Sequence, residues 1–329
     1  MKLLILGGTQ FLGRHLVEAA LNAGHQVTLF NRGQTAPRRF DVTTLIGDRD
    51  GDLGALGRWE GDAVIDTSGY VPRVVKDSVT RLKSRVSHYT FVSSISVYED
   101  FSRANVTESF SRITLANPHS ENINEDYGGL KAASEDVVRQ GFEEALVVRP
   151  GLLVGPYDPT DRFTYWVRRW SHPGPVLVPG DPSAPIQWID VRDVADWILR
   201  QVADRVAGTY NLTGIPGTLG QLMEVLESET PGGPAVWVDE EFLLEHEVRE
   251  WLDLPLWIAR KTNWPGFVGV NIDRAIARGL RLRPWAQTIF DIRKWDRMRG
   301  SPPLRSGLML DREQDLLAAW KRHVDANKN

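Results

Sequence analysis

The sequence predicts an α/β fold, a doubly wound parallel sheet with a smaller mixed part attached toward its C-terminal end. Three observations carry this. Short apolar runs alternate with amphipathic stretches through the first two hundred residues. A glycine turn joins the first apolar run to the first amphipathic one. The 329-residue length exceeds one small domain and suits a sheet domain plus a further part.

Lys2–Leu6 is an apolar run of strand type, and residues 14–23 carry Leu16, Val17, Ala20 and Leu21 at helical spacing. A strand, a glycine turn and a helix point the first N–H groups of that helix at a pyrophosphate, the arrangement of a Rossmann-type fold. Gly7, Thr9, Gln10, Phe11 and Leu12 are therefore candidate dinucleotide contacts. Gly7 suits the tight turn and Gly13 the close packing of helix on strand, while Gln10 stands where a middle glycine is usual.

Residues 26–30 (QVTLF) form the second strand, ended by Asn31-Arg32-Gly33. No acid stands there to accept hydrogen bonds from an adenosine ribose. Arg32 can pair with a 2′-phosphate, which favours NADP(H) over NAD(H). The competing reading of Arg32 is a solvated loop arginine. Thr43–Ile46 is the third strand, and Asp48 after it either meets an adenine amino group or caps the following turn. Ala63–Asp66 is the fourth. It runs into Thr67-Ser68-Gly69-Tyr70, small residues against which a cofactor lies close to backbone, and residues 71–82 are helical.

Residues 89–93 (YTFVS) form the fifth strand, with Ser94-Ile95-Ser96-Val97-Tyr98 at its carboxyl end, where open α/β sheets place ligands. Residues 99–124 read as a polar loop over the site. Residues 126–139 form a helix, residues 145–149 the sixth strand, and Pro150, Gly151 and Leu153 follow at its end. Beyond, residues 163–170 suggest a short helix, residues 187–190 a strand and residues 191–201 a helix returning to the sheet domain. The expected division is 1–155 with 186–203 in the dinucleotide domain, and 156–185 with 204–329 in the substrate part.

Composition excludes several classes. The chain is 42% hydrophobic, so a core is affordable, and its net charge of −4 provides no basic field for nucleic acid. It has no cysteine, which excludes disulfides, thiolate metal sites and a cysteine nucleophile and fits a cytoplasmic setting. No run has membrane-spanning length, and Leu3 to Leu6 is too short for a signal-peptide core. The seven histidines lack metal-ligand spacing, so no metal site is expected.

Tyr127 and Lys131 stand four apart and share a face of their helix. An ammonium beside a tyrosine favours the phenolate and lowers its pKa from about 10. Such a tyrosine can donate or accept the proton that accompanies hydride transfer, while Ser94 holds the substrate oxygen. Ser93 is placed to touch the cofactor. A pocket wall can be drawn from Tyr70, Ser96, Tyr98, Arg162, Phe163, Trp166 and Trp188, which suits a flat small molecule with one carbonyl or anionic group. The competing reading makes Phe163 and Trp166 the buried face of a small helix.

With LGGTQFLG, FVSSISVYED, YGGLK, RPGLLVGP and WIDVRDVADW in place, the sequence resembles the extended and atypical short-chain dehydrogenase/reductases, the NAD-dependent epimerase/dehydratases, across residues 1–200. The resemblance implies Tyr127 as acid/base, Lys131 as its partner, Ser94 as the serine of the trio, and residues 149–156 as the nicotinamide lining. Gln10 matches the atypical branch, which includes stem-loop-binding proteins. Ile95-Ser96 after the serine departs from the Asp-Glu pair of sugar-nucleotide dehydratases. The implied function is an NADP(H)-dependent oxidoreductase acting on a carbonyl or secondary alcohol. The alternatives are an NAD(P)-dependent epimerase of a sugar nucleotide or related metabolite, and a non-catalytic dinucleotide-binding or RNA-binding relative. A small-molecule partner is expected, nucleic acid is disfavoured, and a homodimer is compatible.

Overall fold

Residues 3–6 are wholly buried and uniformly apolar, the pattern of a strand covered on both faces in a parallel sheet. The computed structural model describes residues 1–35, 40–230, 232–262 and 264–327. In chain order it runs β1 (Lys2–Leu6), α1 (Phe11–Asn22), β2 (Gln26–Asn31), β3 (Thr43–Ile46), β4 (Ala63–Asp66), α2 (Pro72–Leu82), β5 (His88–Val92), α3 (Ile123–Gly141), β6 (Leu146–Pro150) and β7 (Leu152–Val154). Next come α4 (Arg162–Trp170), β8 (Val176–Pro179), β9 (Pro185–Ile186), β10 (Trp188–Asp190), α5 (Val191–Ala203), β11 (Gly208–Leu212), β12 (Gly217–Thr218), α6 (Leu219–Glu229) and β13 (Ala235–Val238). Four helices finish the chain: α7 (Glu240–Glu245), α8 (Asp273–Ala277), α9 (Trp285–Met298) and α10 (Leu310–Ala326).

Two units are present. The first comprises Met1–Leu153, Ile189–Gly214 and Val270–Leu282. Its seven strands lie in the order β11-β6-β5-β4-β1-β2-β3 and pair in parallel throughout. The order reverses between β1 and β4, so a crevice opens beyond their carboxyl ends, where Leu6 is in register with Asp66. One face of the sheet packs on α1 and α5 through Leu16, Val17, Val194 and Ile198, and the other on α2 and α3 through Val75, Val79 and Val138. This three-layer build is the doubly wound fold that the alternating pattern predicts.

The second unit comprises Val154–Trp188, Ile215–Gly269 and Arg283–Asn329. Within it β8 pairs with β13 in parallel and β9 with β12 antiparallel. Nearly all of α4 is buried there. Arg168 grips Asp296 at 2.8 and 2.6 Å, and Arg169 pairs with Glu313.

The expected division needs correction. Residues 204–214 and 270–282, assigned to the substrate part, lie in the sheet unit: β11 is its edge strand and α8 packs beside it. The boundaries fall at 153/154 and 188/189 rather than after 155 and 185. A five-residue strand signal such as GTYNL carries no information about which sheet it joins. Helix α3 begins earlier than expected because Asn122 caps it through the Asn124 N–H, and the helix kinks at Asp126, immediately before Tyr127. Among the described residues no helix is long and apolar enough to cross a membrane, and no group of three or more acidic or histidine side chains could hold a metal.

Candidate active site

The first turn is shaped by two glycines. Gly7 has φ +106°, and a Cβ there would sit 2.5 Å from Thr67 Oγ1. A Cβ on Gly13 would sit 2.7 Å from the Gly8 nitrogen, so only glycine lets α1 lie this close to the turn. Helix α1 starts without a side-chain cap and without an acid in its first turn. Its leading N–H groups therefore lack partners within the helix and face the switch point with partial positive charge. Thr9 is half-buried and Gln10 exposed, while the Leu12 side chain is core and the Phe11 ring packs against that core, leaving their N–H groups at the helix end.

At the end of β2, Asn31 Oδ1 accepts the Gly33 N–H at 2.8 Å, and its Nδ2 is buried without a partner among the described residues. Arg32 is exposed. Asp48 accepts the Asp50 N–H and its backbone pairs with Asp52, so its carboxylate serves its own turn. Thr67 and Ser68 spend their hydroxyls on the Leu6 carbonyl, at 2.9 and 3.2 Å. Their hydroxyls tie the end of β4 to β1.

Lys131 is the centre of the site. It is 3% exposed, and its ammonium donates to the carbonyls of Gly69 at 2.7 Å and Val92 at 2.6 Å. It lies 4.5 Å from the Phe91 ring centroid and 5.2 Å from that of Tyr70. Burial is the main influence on its proton. Together with the nearby Arg49 charge it outweighs Asp66 and Glu135 and brings the pKa down to about 8. The Tyr70 ring also lies 6.4 Å from that of Tyr127, so one aromatic side chain neighbours both members of the pair. Tyr127 is half-buried and opens the straight part of α3.

Ser94 holds a short turn, residues 95–97. Its Oγ accepts the Ser96 N–H at 3.1 Å and donates to Ser96 Oγ at 3.1 Å. Gly128, next to Tyr127, presses against the Ser96 carbonyl, where a Cβ would overlap it. This contact sets α3 against the Ser94 turn. Gly151 donates to the Leu212 carbonyl at 2.9 Å, and Leu153 is partly buried against the core.

Several expected contacts are committed elsewhere. Ser93 gives its hydroxyl to Glu135 at 2.6 Å. Tyr98 is 1% exposed, donates to Asn211 at 2.5 Å and accepts from Arg149 at 3.0 Å, so it is framework rather than pocket wall. In the second unit Trp166 is fully buried, its Nε1 bonded to the Pro255 carbonyl at 2.7 Å and its ring against Tyr165 and Trp170. The helix-core reading of Trp166 replaces the pocket reading. Phe163 and Trp188 are likewise buried against each other, with Trp285 beside Trp188. Arg162 is half-buried, bonded to Thr160 and set over the Trp251 ring.

Two buried charge groups escape a reading of spacing. Arg49 forks onto Asp66 at 2.6 and 2.8 Å, with Tyr89 donating to the same carboxylate at 2.8 Å. Glu135 is wholly buried and takes Arg149 at 2.9 and 2.7 Å, Ser93, and the rim arginines Arg112 and Arg139. Burial alone would push the Glu135 carboxyl up, but the Arg149 hydrogen bonds and charge hold it below the usual range. An acid ending the apolar strand AVID, and an acid on the face of Tyr127 and Lys131, are the signals that could have revealed them.

Comparison with known proteins fits this geometry. Residues 3–60 and 63–213 match the family described as NAD dependent epimerase/dehydratase. The chain is 26% identical over 234 residues to the Arabidopsis thaliana chloroplast stem-loop binding protein of 41 kDa b, covering 65% of this chain and 58% of that one. It is 28% identical over 214 residues to the ceramide reductase of Caulobacter vibrioides, covering 64% of each. The chain thus spans less than two thirds of the length of either relative. The UDP-glucuronic acid 4-epimerase of Bacillus cereus, solved with NAD, shares the fold with a TM-score of 0.64 at 15% identity, over 91% of this chain and 99% of that one.

Proposed function

Because the chain belongs to the NAD dependent epimerase/dehydratase family, we propose that it is an oxidoreductase that prefers NADP(H) and acts on a carbonyl or secondary alcohol. The buried Lys131 beneath Tyr70, whose ring also neighbours Tyr127, carries the reading: a charge buried at this cost is retained where it has work to do. The residues present suit a dinucleotide. The bare α1 N-terminus, the turn that a Cβ at Gly7 or Gly13 would fill, and the unpaired Asn31 Nδ2 together offer donors to phosphate and ribose. Bound there, the nicotinamide supplies or accepts hydride.

The protein's own residues do the rest. Lys131 has three N–H donors, two of them held by Gly69 and Val92 carbonyls, which leaves the third for a ribose hydroxyl. Its charge favours the Tyr127 phenolate. Tyr127 gives its proton to the substrate oxygen in reduction and takes it back in oxidation. Ser94 turns its hydroxyl from Ser96 to that same oxygen. The reductase direction draws support from the Caulobacter relative, and the family description keeps epimerisation as the second reading.

NADPH and NADH titrations followed by a panel of carbonyl compounds test the proposal. NADPH binds more tightly than NADH, and Arg32→Ala narrows the gap by about 1.5–3 kcal/mol, the worth of a charge-assisted contact. Equal affinities in the parent protein would remove the NADP preference. Tyr127→Phe slows turnover by roughly a hundredfold while cofactor binding survives. Stoichiometric loss of NADPH absorbance marks a reductase. Isomerised product without net loss marks an epimerase.

A further inference from the structure

We propose that the buried Glu135–Arg149 pair is the positioning device of the Ser94–Tyr127–Lys131 site, an inference that rests on the function proposed above. The pair closes a circuit around that site. Glu135 lies one turn beyond Lys131 and two beyond Tyr127 on the same face of α3. Its carboxylate reaches Ser93, the residue before Ser94, at 2.6 Å. It also takes both nitrogens of the Arg149 fork, the residue before Pro150-Gly151, at 2.9 and 2.7 Å. The other end of the fork, Arg149 Nη1, reaches the Tyr98 hydroxyl at 3.0 Å and the Glu108 carbonyl at 3.2 Å. Tyr98 passes the grip on to Asn211 at 2.5 Å.

The Ser94 turn is therefore clamped at both ends by the two members of one ion pair, Ser93 by the acid and Tyr98 by the base. The same acid anchors the helix that bears Tyr127 and Lys131. The carbonyl of Val92, next to Ser93, receives the Lys131 ammonium directly. Four segments that meet at the proposed site, β5, the Ser94 turn, α3 and the end of β6, are thus set at one spacing. A fork of parallel hydrogen bonds fixes distance and angle together, which apolar side chains of the same volume do not. Such apolar side chains would also spare the desolvation of two buried charges, so stability alone gives little reason for the pair.

The charged groups facing Lys131 are Asp66 from β4, Arg49 from the loop after β3, and Glu135 on its own helix. Glutamine at position 135 removes a negative neighbour, so Lys131 titrates at a lower pH. That shift follows from the lost charge whatever the pair's role, so NADPH affinity in a folded variant is the readout that a role limited to stability would leave unmoved.

The test uses Glu135→Gln, Arg149→Lys and Arg139→Ala in the full chain, with NADPH as the probe and NMR of lysine-labelled protein to follow Lys131. Circular dichroism reports folding. Glu135→Gln is expected to bind NADPH about tenfold more weakly, the scale of a small misplacement of site groups, and to lower the Lys131 titration. Arg149→Lys keeps the charge, loses the fork, and weakens NADPH binding in the same sense. Arg139→Ala removes a partly exposed partner of the same carboxylate, together with its contacts to Thr209 and Asp136, and leaves NADPH binding at the parental value. A folded Glu135→Gln protein with parental NADPH affinity overturns the proposal, wherever Lys131 titrates. If Glu135→Gln does not fold, parental NADPH affinity in Arg149→Lys overturns it instead. Lys131→Met separates the two readings: parental NADPH binding in that variant defeats the proposed function, whereas weakened binding there with parental binding in Glu135→Gln defeats the pair alone.

Discussion

Lys131 carries a measurable penalty in its folded surroundings. Burial brings its pKa from 10.5 to about 8. Below pH 8 it is charged both in the folded and in the unfolded chain, and the cost of burying that charge is fully present. Between about pH 8 and 10.5 the folded chain has released the proton and the unfolded chain still holds it, so stability rises with pH across that window. Measured against Lys131→Met, the parent protein gains about 2–3 kcal/mol between neutral pH and pH 10. Chemical denaturation of both proteins across that range reads the difference, and parallel curves would show that Lys131 is not strained. Spacing makes this residue easy to find, because a tyrosine and a lysine four apart share a helix face in any sequence. Its partners are another matter. Glu135 and Arg149 lie on different elements, and Arg49 and Asp66 are joined only when the loop after β3 returns to the end of β4, two strands away in the sheet from β3's own neighbour. No periodicity in the chain encodes such a pairing.

At the scale of elements, the meeting of α3 with the Ser94 turn hangs on one glycine. Gly128 faces the Ser96 carbonyl, and a methyl group there overlaps it, so either the helix or the turn must yield. Gly128→Ala is expected to lower turnover by about a hundredfold, as displaced site groups do, with a modest loss of melting temperature. Turnover at the parental rate would show that the turn absorbs the methyl. The YGGLK stretch displays two glycines inside a helix, which weakens the helix on propensity alone and signals a close contact without naming its partner. The kink at Asp126 has no such signal.

For the whole molecule, the two units are unequally legible. The parallel sheet follows from a repeated alternation of strands and helices over the first two hundred residues. The second unit mixes short pairs of strands with helices, and its aromatic residues fit a pocket or a core equally well by spacing. Trp166 shows the outcome: a wholly buried ring with its one polar atom bonded to the Pro255 carbonyl. Trp166→Ala is expected to cost about 3–5 kcal/mol. Calorimetry measures that loss, and NADPH affinity at low temperature stays parental because the proposed dinucleotide residues belong to the other unit. A raised Michaelis constant without a lowered melting temperature would return Trp166 to the pocket.

The uncapped start of α1 has a consequence for how the protein lives in a cell. Four helices close their own starts with side chains, among them α6, boxed by Thr218 and Gln221, and α5, capped by Asp190, while α1 is one of those that do not. Helix α1 leaves that task to whatever anion arrives. On the proposed function, the arriving dinucleotide is both reagent and structural member, and at a hundred times its dissociation constant it adds about 2.7 kcal/mol to the folded state. The lifetime of the protein then follows the supply of its dinucleotide. Starved of it, a larger share of the chain is unfolded and open to proteases; well supplied, it persists.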